Sequence, residues 1–312
     1  MNITVVIPMS DEQKKALEQV NSAETLNFHY CAEKDLSREQ LSKTDILVGN
    51  IPPARLKDGE RLSLVQLNSA GTEGYTAPGV LPAGAKLANA SGAYGLAISE
   101  HMLGMILSLL KKLPEYRNAQ TAHKWIDAGQ VRSIYGSRTL VIGLGNIGGE
   151  FAKRMKAMGS TVVGLKRTAA SVPDYVDELY TMDHLDEEIG KADFVACTVP
   201  GSKETYHLFN EERFAKMKSS AVFINVARGT LVDSNVLARV LRDGVIGGAC
   251  IDVADPEPLP ADSPLWDAPN LILTPHISGG YHLEETKNRI LGIARSNIQA
   301  ICDGREIRNR IV

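Results

Sequence analysis

The chain has 312 residues, enough for about two domains at roughly 150 residues each. Hydrophobic residues make up 44% and charged residues 23%, a globular balance that excludes disordered and fibrous architectures. With 34 basic against 37 acidic residues the formal charge is −3, which removes a general electrostatic case for nucleic acid or an anionic membrane as partner.

The N-terminus, MNITVVIPMSDEQ, lacks a basic leader region and turns acidic at once, so it reads as a first strand, not a signal peptide. Short apolar segments at Ile3–Ile7, Phe28–Cys31, Ile46–Val48, Leu64–Leu67 and Lys86–Ala90 predict five strands. Ile98, Met102, Ile106 and Leu110 then recur at four-residue intervals, predicting a helix over Ala97–Lys112 that Pro114 stops. The next stretch, Glu115–Tyr135, is polar with scattered aromatics and has no sheet pattern. It reads either as an arm contacting a second subunit or as a solvated connection. A second strand series follows at Thr139–Ile142, Thr161–Leu165, Phe194–Thr198, Ala221–Val226, Ala249–Val253 and Leu271–Thr274. Strands alternating with helical spacers predict an α/β fold built on doubly wound parallel sheets. A last helix over Leu283–Cys302 ends at Asp303–Gly304, a C-cap signal. No apolar run reaches the roughly 18–20 residues that span a bilayer. Cys31, Cys197, Cys250 and Cys302 are widely spaced without a CxxC pair, so reduced thiols and a cytoplasmic location are expected.

The segment 139–168, TLVIGLGNIGGEFAKRMKAMGSTVVGLKRT, carries the clearest chemistry. An apolar strand runs into Gly143, Gly145 and Gly148, then a helix, then a second strand. Glycines at these positions permit a tight turn, close approach of backbone to a pyrophosphate, and close helix–strand packing. The helix N-terminus offers free amides and a partial positive charge to phosphates. This predicts a dinucleotide site. An NAD site usually places Asp or Glu at the end of the second strand, about 20 residues on, to bind the ribose 2′-hydroxyl. Here Lys166, Arg167 and Thr168 stand instead. Cations cannot accept that hydrogen bond but can neutralise a 2′-phosphate, so NADP is favoured over NAD. A solvated basic turn is the alternative.

Ligands of open α/β sheets collect beyond the carboxyl ends of the strands. Thr198–Val199–Pro200 follows the third strand of the second series and Val226–Ala227–Arg228–Gly229 the fourth. Asp252 and then Glu257 follow the fifth, and Pro275–His276 the sixth. One Arg, one Glu and one His therefore fall at consecutive strand ends. Each alone has a mundane reading, as a surface ion pair, a solvated carboxylate or a loop histidine. His29, His123, His184, His207 and His282 have no partner at metal-ligand spacing, so no metal is expected. His101, inside the long helix, reads as a packing or interdomain residue.

The sequence resembles the D-isomer-specific 2-hydroxyacid dehydrogenase family over essentially its whole length. The matching blocks are AISEHMLGMIL at 97–107, GLGNIG at 143–148, TVPGSKET at 198–205, INVARG at 224–229, DVADPEPLP at 252–260 and TPHISG at 274–279. The resemblance implies a catalytic set of Arg228, Glu257 and His276. It also implies a flavodoxin-like substrate domain of residues 1–98 plus 283–312 and a Rossmann NAD(P)-binding domain of residues 99–282, with a cleft between. The cofactor is then expected along Gly143, Gly145, Asn146, Ile147 and Gly148, along Lys166, Arg167 and Thr168, and along Thr198, Val199, Pro200 and Thr205. Val226, Ala227, Asp252, Ser278 and Gly279 complete that set. Backbone amides of a first-domain loop hold the substrate carboxylate in this family, and the corresponding stretch here is Ala70, Gly71 and Thr72.

Reduction of a 2-keto acid delivers hydride to C2 and builds negative charge on the carbonyl oxygen. His276 as imidazolium is suited to hydrogen-bond that oxygen and then protonate it. Glu257 beside the ring would orient it and favour its charged form. Arg228 offers a planar fork of donors to the carboxylate and carbonyl. The expected function is reduction of a small 2-keto acid such as glyoxylate, hydroxypyruvate or a branched analogue, by a homodimer. A 3-phosphoglycerate dehydrogenase is the nearest alternative, which Glu73 in the substrate loop disfavours. A nucleotide-sensing module like the corepressors built on this fold is the alternative of a different class.

Overall fold

The computed structural model describes residues 1–312, and the chain divides into two compact units. The first comprises Met1–Tyr94 and Tyr281–Val312, the second Gly95–Gly280.

In the first unit the strands are β1 (Asn2–Val5), β2 (Asn27–Tyr30), β3 (Ile46–Val48), β4 (Leu64–Gln66) and β5 (Lys86–Ala88), with α1 (Asp11–Leu17) and α2 (Arg38–Ser42) between the first three. They pair in parallel in the order β2-β1-β3-β4-β5, the doubly wound order of flavodoxin-like sheets. Capping fixes where α1 begins: Ser10 Oγ accepts from the Gln13 amide while Gln13 Oε1 accepts from the Ser10 amide.

The second unit opens with α3 (Gly95–Leu110) and α4 (Leu113–Thr121). It continues with β6 (Arg138–Ile142), α5 (Asn146–Ala157), β7 (Thr161–Lys166), β8 (Glu178–Thr181), α6 (Leu185–Glu188), β9 (Phe194–Cys197), α7 (Glu211–Ala215), β10 (Val222–Asn225), α8 (Ser234–Arg242), β11 (Gly248–Ile251) and β12 (Leu271–Leu273). The helix α9 (Glu284–Cys302) then returns to the first unit. There its buried Asn297 donates to Gln66 Oε1 at the end of β4 and accepts from the Arg308 amide, so a polar group inside the core is satisfied on both sides.

The seven strands of the second unit form one parallel sheet in the order β12-β11-β10-β9-β6-β7-β8. The direction of winding reverses between β6 and β9. Two differences from the sequence reading stand out here. The edge strand β8, ELYT, is half-buried throughout and presents no apolar run, so only pairing with β7 makes it a strand. The stretch 115–135 begins inside helix α4, which has Pro114 in its first turn, where a missing N–H costs nothing. On one face of the sheet Phe209, Phe214 and Phe223 pack with ring centroids 4.7–5.5 Å apart, all fully buried. On the other, α3 buries Ile98, Met102, Met105 and Ile106 and lies against α5, β11 and β12.

An ionic clamp fastens the β8 edge. Arg138 at the start of β6 forks onto both Glu178 oxygens at 2.7 and 2.9 Å and reaches the buried Glu188 at 2.7 Å. Hydrogen bonds from Arg138, then Tyr180, hold the Glu178 carboxyl down to about 2. A carboxyl held below its unfolded value of 4.5 stabilises the fold above that pH and loses the contribution as pH falls toward about 2. Arg138→Met should therefore raise the pH of acid unfolding, followed by circular dichroism. It should also cost about 2 kcal/mol in urea at neutral pH, the scale of a hydrogen bond to a charged group. Unchanged acid and urea profiles would contradict the clamp.

Candidate active site

Where the winding reverses, the loop after β6 meets the loop after β9. Gly143 has φ +93°, and a Cβ there would lie 2.9 Å from the Val199 side chain. A Cβ on Gly148 would fall 2.0 Å from the Gly143 carbonyl oxygen and 2.6 Å from Thr198 Oγ1. Thr198 in turn donates to the Gly143 carbonyl at 2.5 Å, tying the two loops together. Gly145, by contrast, faces open space and caps α5 without any side-chain hydrogen bond. The first-turn amides of α5 are thus left for a ligand, and the missing Cβ of Gly145 lets it come close. These features fit a pyrophosphate. The Asn146 side chain is used otherwise: its Oδ1 accepts from the Gly95 amide at 2.8 Å, fastening the start of α3 to the start of α5.

At the far end of β7, Lys166 is half-buried while Arg167 and Thr168 are exposed. Thr205 turns inward on its own loop, donating to the Pro200 carbonyl at 2.9 Å and accepting from the Ser202 amide at 2.8 Å. Val226 and Ala227 are buried after β10.

Arg228 follows them. Its Nη1 donates to the Ala227 carbonyl at 2.7 Å and its own carbonyl accepts from Asn225 Nδ2 at 2.9 Å. Two glycines shape its surroundings. A Cβ on Gly201 would press on the Arg228 stem at 3.0 Å, and one on Gly229 would overlap the Ala254 carbonyl oxygen at 1.8 Å. The arginine loop therefore packs backbone to backbone on the loop that carries Glu257.

Glu257 and His276 meet. Glu257 Oε2 lies 2.7 Å from His276 Nδ1, and its Oε1 accepts from the Ala254 amide at 3.0 Å, so both carboxylate oxygens are held. With Nδ1 donating to Glu257, Nε2 remains for chemistry. His276 adopts φ +53°, uncommon for a residue with a side chain. Asp252 braces that conformation. Its carbonyl accepts from the His276 amide at 2.8 Å, and its carboxylate accepts from the amides of Ile277 and Ser278, both at 3.0 Å. The hydroxyls of Thr274 and Ser278 also donate to it, each at 2.5 Å. Asp252 is 1% exposed, with both oxygens engaged by the loop.

In the first unit, Ala70–Gly71–Thr72 turns its carbonyls into the protein. Asn89 Nδ2 donates to the Ala70 carbonyl and Ser69 Oγ to that of Gly71, each at 2.7 Å, and the Tyr75 amide donates to that of Thr72 at 3.1 Å. The three amides of this loop donate to no acceptor in the chain. A reciprocal Asn50–Asn68 pair anchors its start, each backbone amide donating to the other's Oδ1. Tyr94 donates to the Asn68 carbonyl and Asn68 Nδ2 donates to Tyr281, and burial pushes both phenols up.

The family model of the D-isomer-specific 2-hydroxyacid dehydrogenase NAD-binding domain matches residues 103–278. The chain belongs to that family. It is an NAD(P)-dependent oxidoreductase of 2-hydroxyacids, and its two parallel-sheet α/β units are those of the family's structures. A 318-residue alignment gives 29% identity with the D-3-phosphoglycerate dehydrogenase of Methanocaldococcus jannaschii, covering 99% of this chain and 59% of that protein. The glyoxylate reductase of Thermofilum pendens is 30% identical over 264 residues, 83% of this chain and 77% of that one. Among solved structures, the NADPH-dependent glyoxylate/hydroxypyruvate reductase of Sinorhizobium meliloti, in complex with NADP and sulfate, matches with a TM-score of 0.81. That match has 25% identity and covers 99% of this dehydrogenase and 98% of that chain.

Two features of this dehydrogenase escaped the sequence reading. The Asn50–Asn68 pair joins residues from separate loops, which no local pattern links. The hydrogen-bond partner of His101 is the other: its Nε2 lies 2.9 Å from Thr274 Oγ1.

Proposed function

We propose that this dehydrogenase reduces a small 2-keto acid of the glyoxylate or hydroxypyruvate class at C2, with NADPH favoured over NADH. The observation that carries the reading is the 2.7 Å contact between Glu257 and His276 at the end of the sheet that bears the glycine turn. A bound nicotinamide dinucleotide supplies the hydride. His276 then donates from Nε2 to the oxygen on which charge grows, and Glu257 holds the ring through Nδ1 and balances its positive charge. Arg228 directs its fork at the carboxylate and carbonyl of the substrate. The free amides of Ala70, Gly71 and Thr72 receive the carboxylate, where small residues permit close approach.

Lys166 and Arg167 support the cofactor preference. The strand end lacks an acidic acceptor for a ribose hydroxyl, and two cations there suit a 2′-phosphate. The named activities of the two reductases described above agree with the substrate class, and the NADP bound to the Sinorhizobium meliloti enzyme agrees with the cofactor.

We also propose that the protein is a homodimer joined through residues 113–135. Leu113, Ile126 and Val131 are about half exposed there and Trp125 and Tyr135 stand out fully or nearly so, an apolar display that suits a partner surface. Four unpaired cysteines suit the reducing cytoplasm. No helix is long and apolar enough to cross a membrane.

Turnover is read by mixing the protein with NADPH and a panel of 2-keto acids that includes 3-phosphohydroxypyruvate, following the nicotinamide absorbance. Glyoxylate or hydroxypyruvate should be reduced fastest. Preference for the phosphorylated compound would instead make this a phosphoglycerate dehydrogenase, and no turnover anywhere would favour a nucleotide sensor. His276→Ala should lower kcat by about 10²–10⁴-fold with NADPH affinity nearly unchanged, the range of general acid catalysis. Wild-type turnover in that variant would remove His276 from the role. Lys166→Asp with Arg167→Ala should weaken NADPH far more than NADH in fluorescence titrations, and an equal effect on both would refute the 2′-phosphate assignment. Light scattering after gel filtration should give the mass of a dimer, with Trp125→Asp shifting it toward monomer. A monomeric wild type would exclude the contact arm.

A further inference from the structure

His101 sits on α3 among Ile98, Met102 and Met105, in a helix packed on β11 and β12. Its side chain keeps 24% exposure, so a polar group here is not forced by burial alone. Nε2 lies 2.9 Å from Thr274 Oγ1 and 3.9 Å from Asp252 Oδ1. A carboxylate only accepts hydrogen bonds, so the Thr274 hydroxyl spends its single proton on Asp252 Oδ1, 2.5 Å away. The threonine oxygen can then only accept from His101, and Nε2 must carry the proton. The order is fixed: imidazole to hydroxyl to carboxylate. Asp252 Oδ1 also receives the Ile277 amide, and the Asp252 carbonyl receives that of His276. Thr274 has a competing acceptor in the Met105 sulfur at 3.9 Å. Without His101 the threonine oxygen loses the donor that holds it from the helix side, so the Thr274–Asp252 bond is anchored from one side only, beside the residue that must hold φ +53°.

We propose that His101 is a positioning residue, acting through Thr274 and Asp252 to fix the loop that presents His276. The proposal rests on His276 being the proton donor. It assigns a function to a helix residue that touches neither Glu257 nor His276, and it makes turnover depend on one hydroxyl orientation.

His101→Leu should lower kcat about tenfold while the KM values for NADPH and keto acid stay within about twofold, as expected when only the reacting geometry loosens. His101→Gln, which restores an amide donor at similar reach, should recover most of that loss. Thr274→Val should match His101→Leu, and the double variant should be no worse than either, because both cut the same chain. In ¹H–¹⁵N spectra of the wild-type protein the His101 ring proton should reside on Nε2. Wild-type kcat in His101→Leu, failure of glutamine to rescue, or multiplying losses in the double variant would each overturn the proposal. A wild-type protein inactive on every keto acid would overturn the role of His276 instead. The spectra would then judge the hydrogen-bond chain on their own, and a ring proton on Nδ1 would refute it.

Discussion

A buried aspartate organises the loop that carries His276. Asp252 lies at the end of β11 with four donors on its carboxylate and a fifth, the His276 amide, on its carbonyl. An unpaired carboxylate at that depth would be costly, so the surrounding loop is obliged to close on it. The closure turns residues 274–278 back over the strand end and sets His276 in a left-handed conformation. That conformation aims Nδ1 at Glu257. A stability requirement thus produces the alignment of Glu257 and His276.

The glycines act in a similar, steric way. Gly143 and Gly148 let the loops after β6 and β9 interlock, while Gly145 leaves the helix end open. Gly229 lets the arginine loop touch the backbone of the glutamate loop. At Gly143, Gly148 and Gly229 a single methyl group would separate parts that must meet. The parallel sheet brings these loops to one edge, and the absence of side chains lets them sit close enough to share a ligand.

Much of this was legible in the sequence because it is written in local pattern. The alternation of apolar runs and helical spacers specified both sheets, and the glycine turn between two strands specified a nucleotide site. The order of Arg228, Glu257 and His276 after successive strands put them at one edge of the sheet, where Glu257 and His276 do meet. What was not legible depends on partners distant in the chain. The strand β8 has no apolar face of its own and exists because β7 and Arg138 hold it. Helix α4 hides in a polar stretch with only one buried residue. His101 lies on an apolar helical stripe, where periodicity speaks for packing, and its hydrogen bond crosses 173 positions of sequence. The bracing of the 274–278 loop by Asp252 was not legible either, because its donors come from residues 22–26 positions further along the chain.

Replacing Asp252 by asparagine and measuring turnover together with a crystal structure of the variant is the most direct check. The amide must turn a donor toward the Ser278 or Ile277 amide, so the loop should open and the Glu257–His276 hydrogen bond should be lost. kcat should fall by about 10²-fold, the scale of a misplaced catalytic group. A variant that keeps the 2.7 Å contact and full activity would contradict the claim that this carboxylate sets the geometry of the reaction.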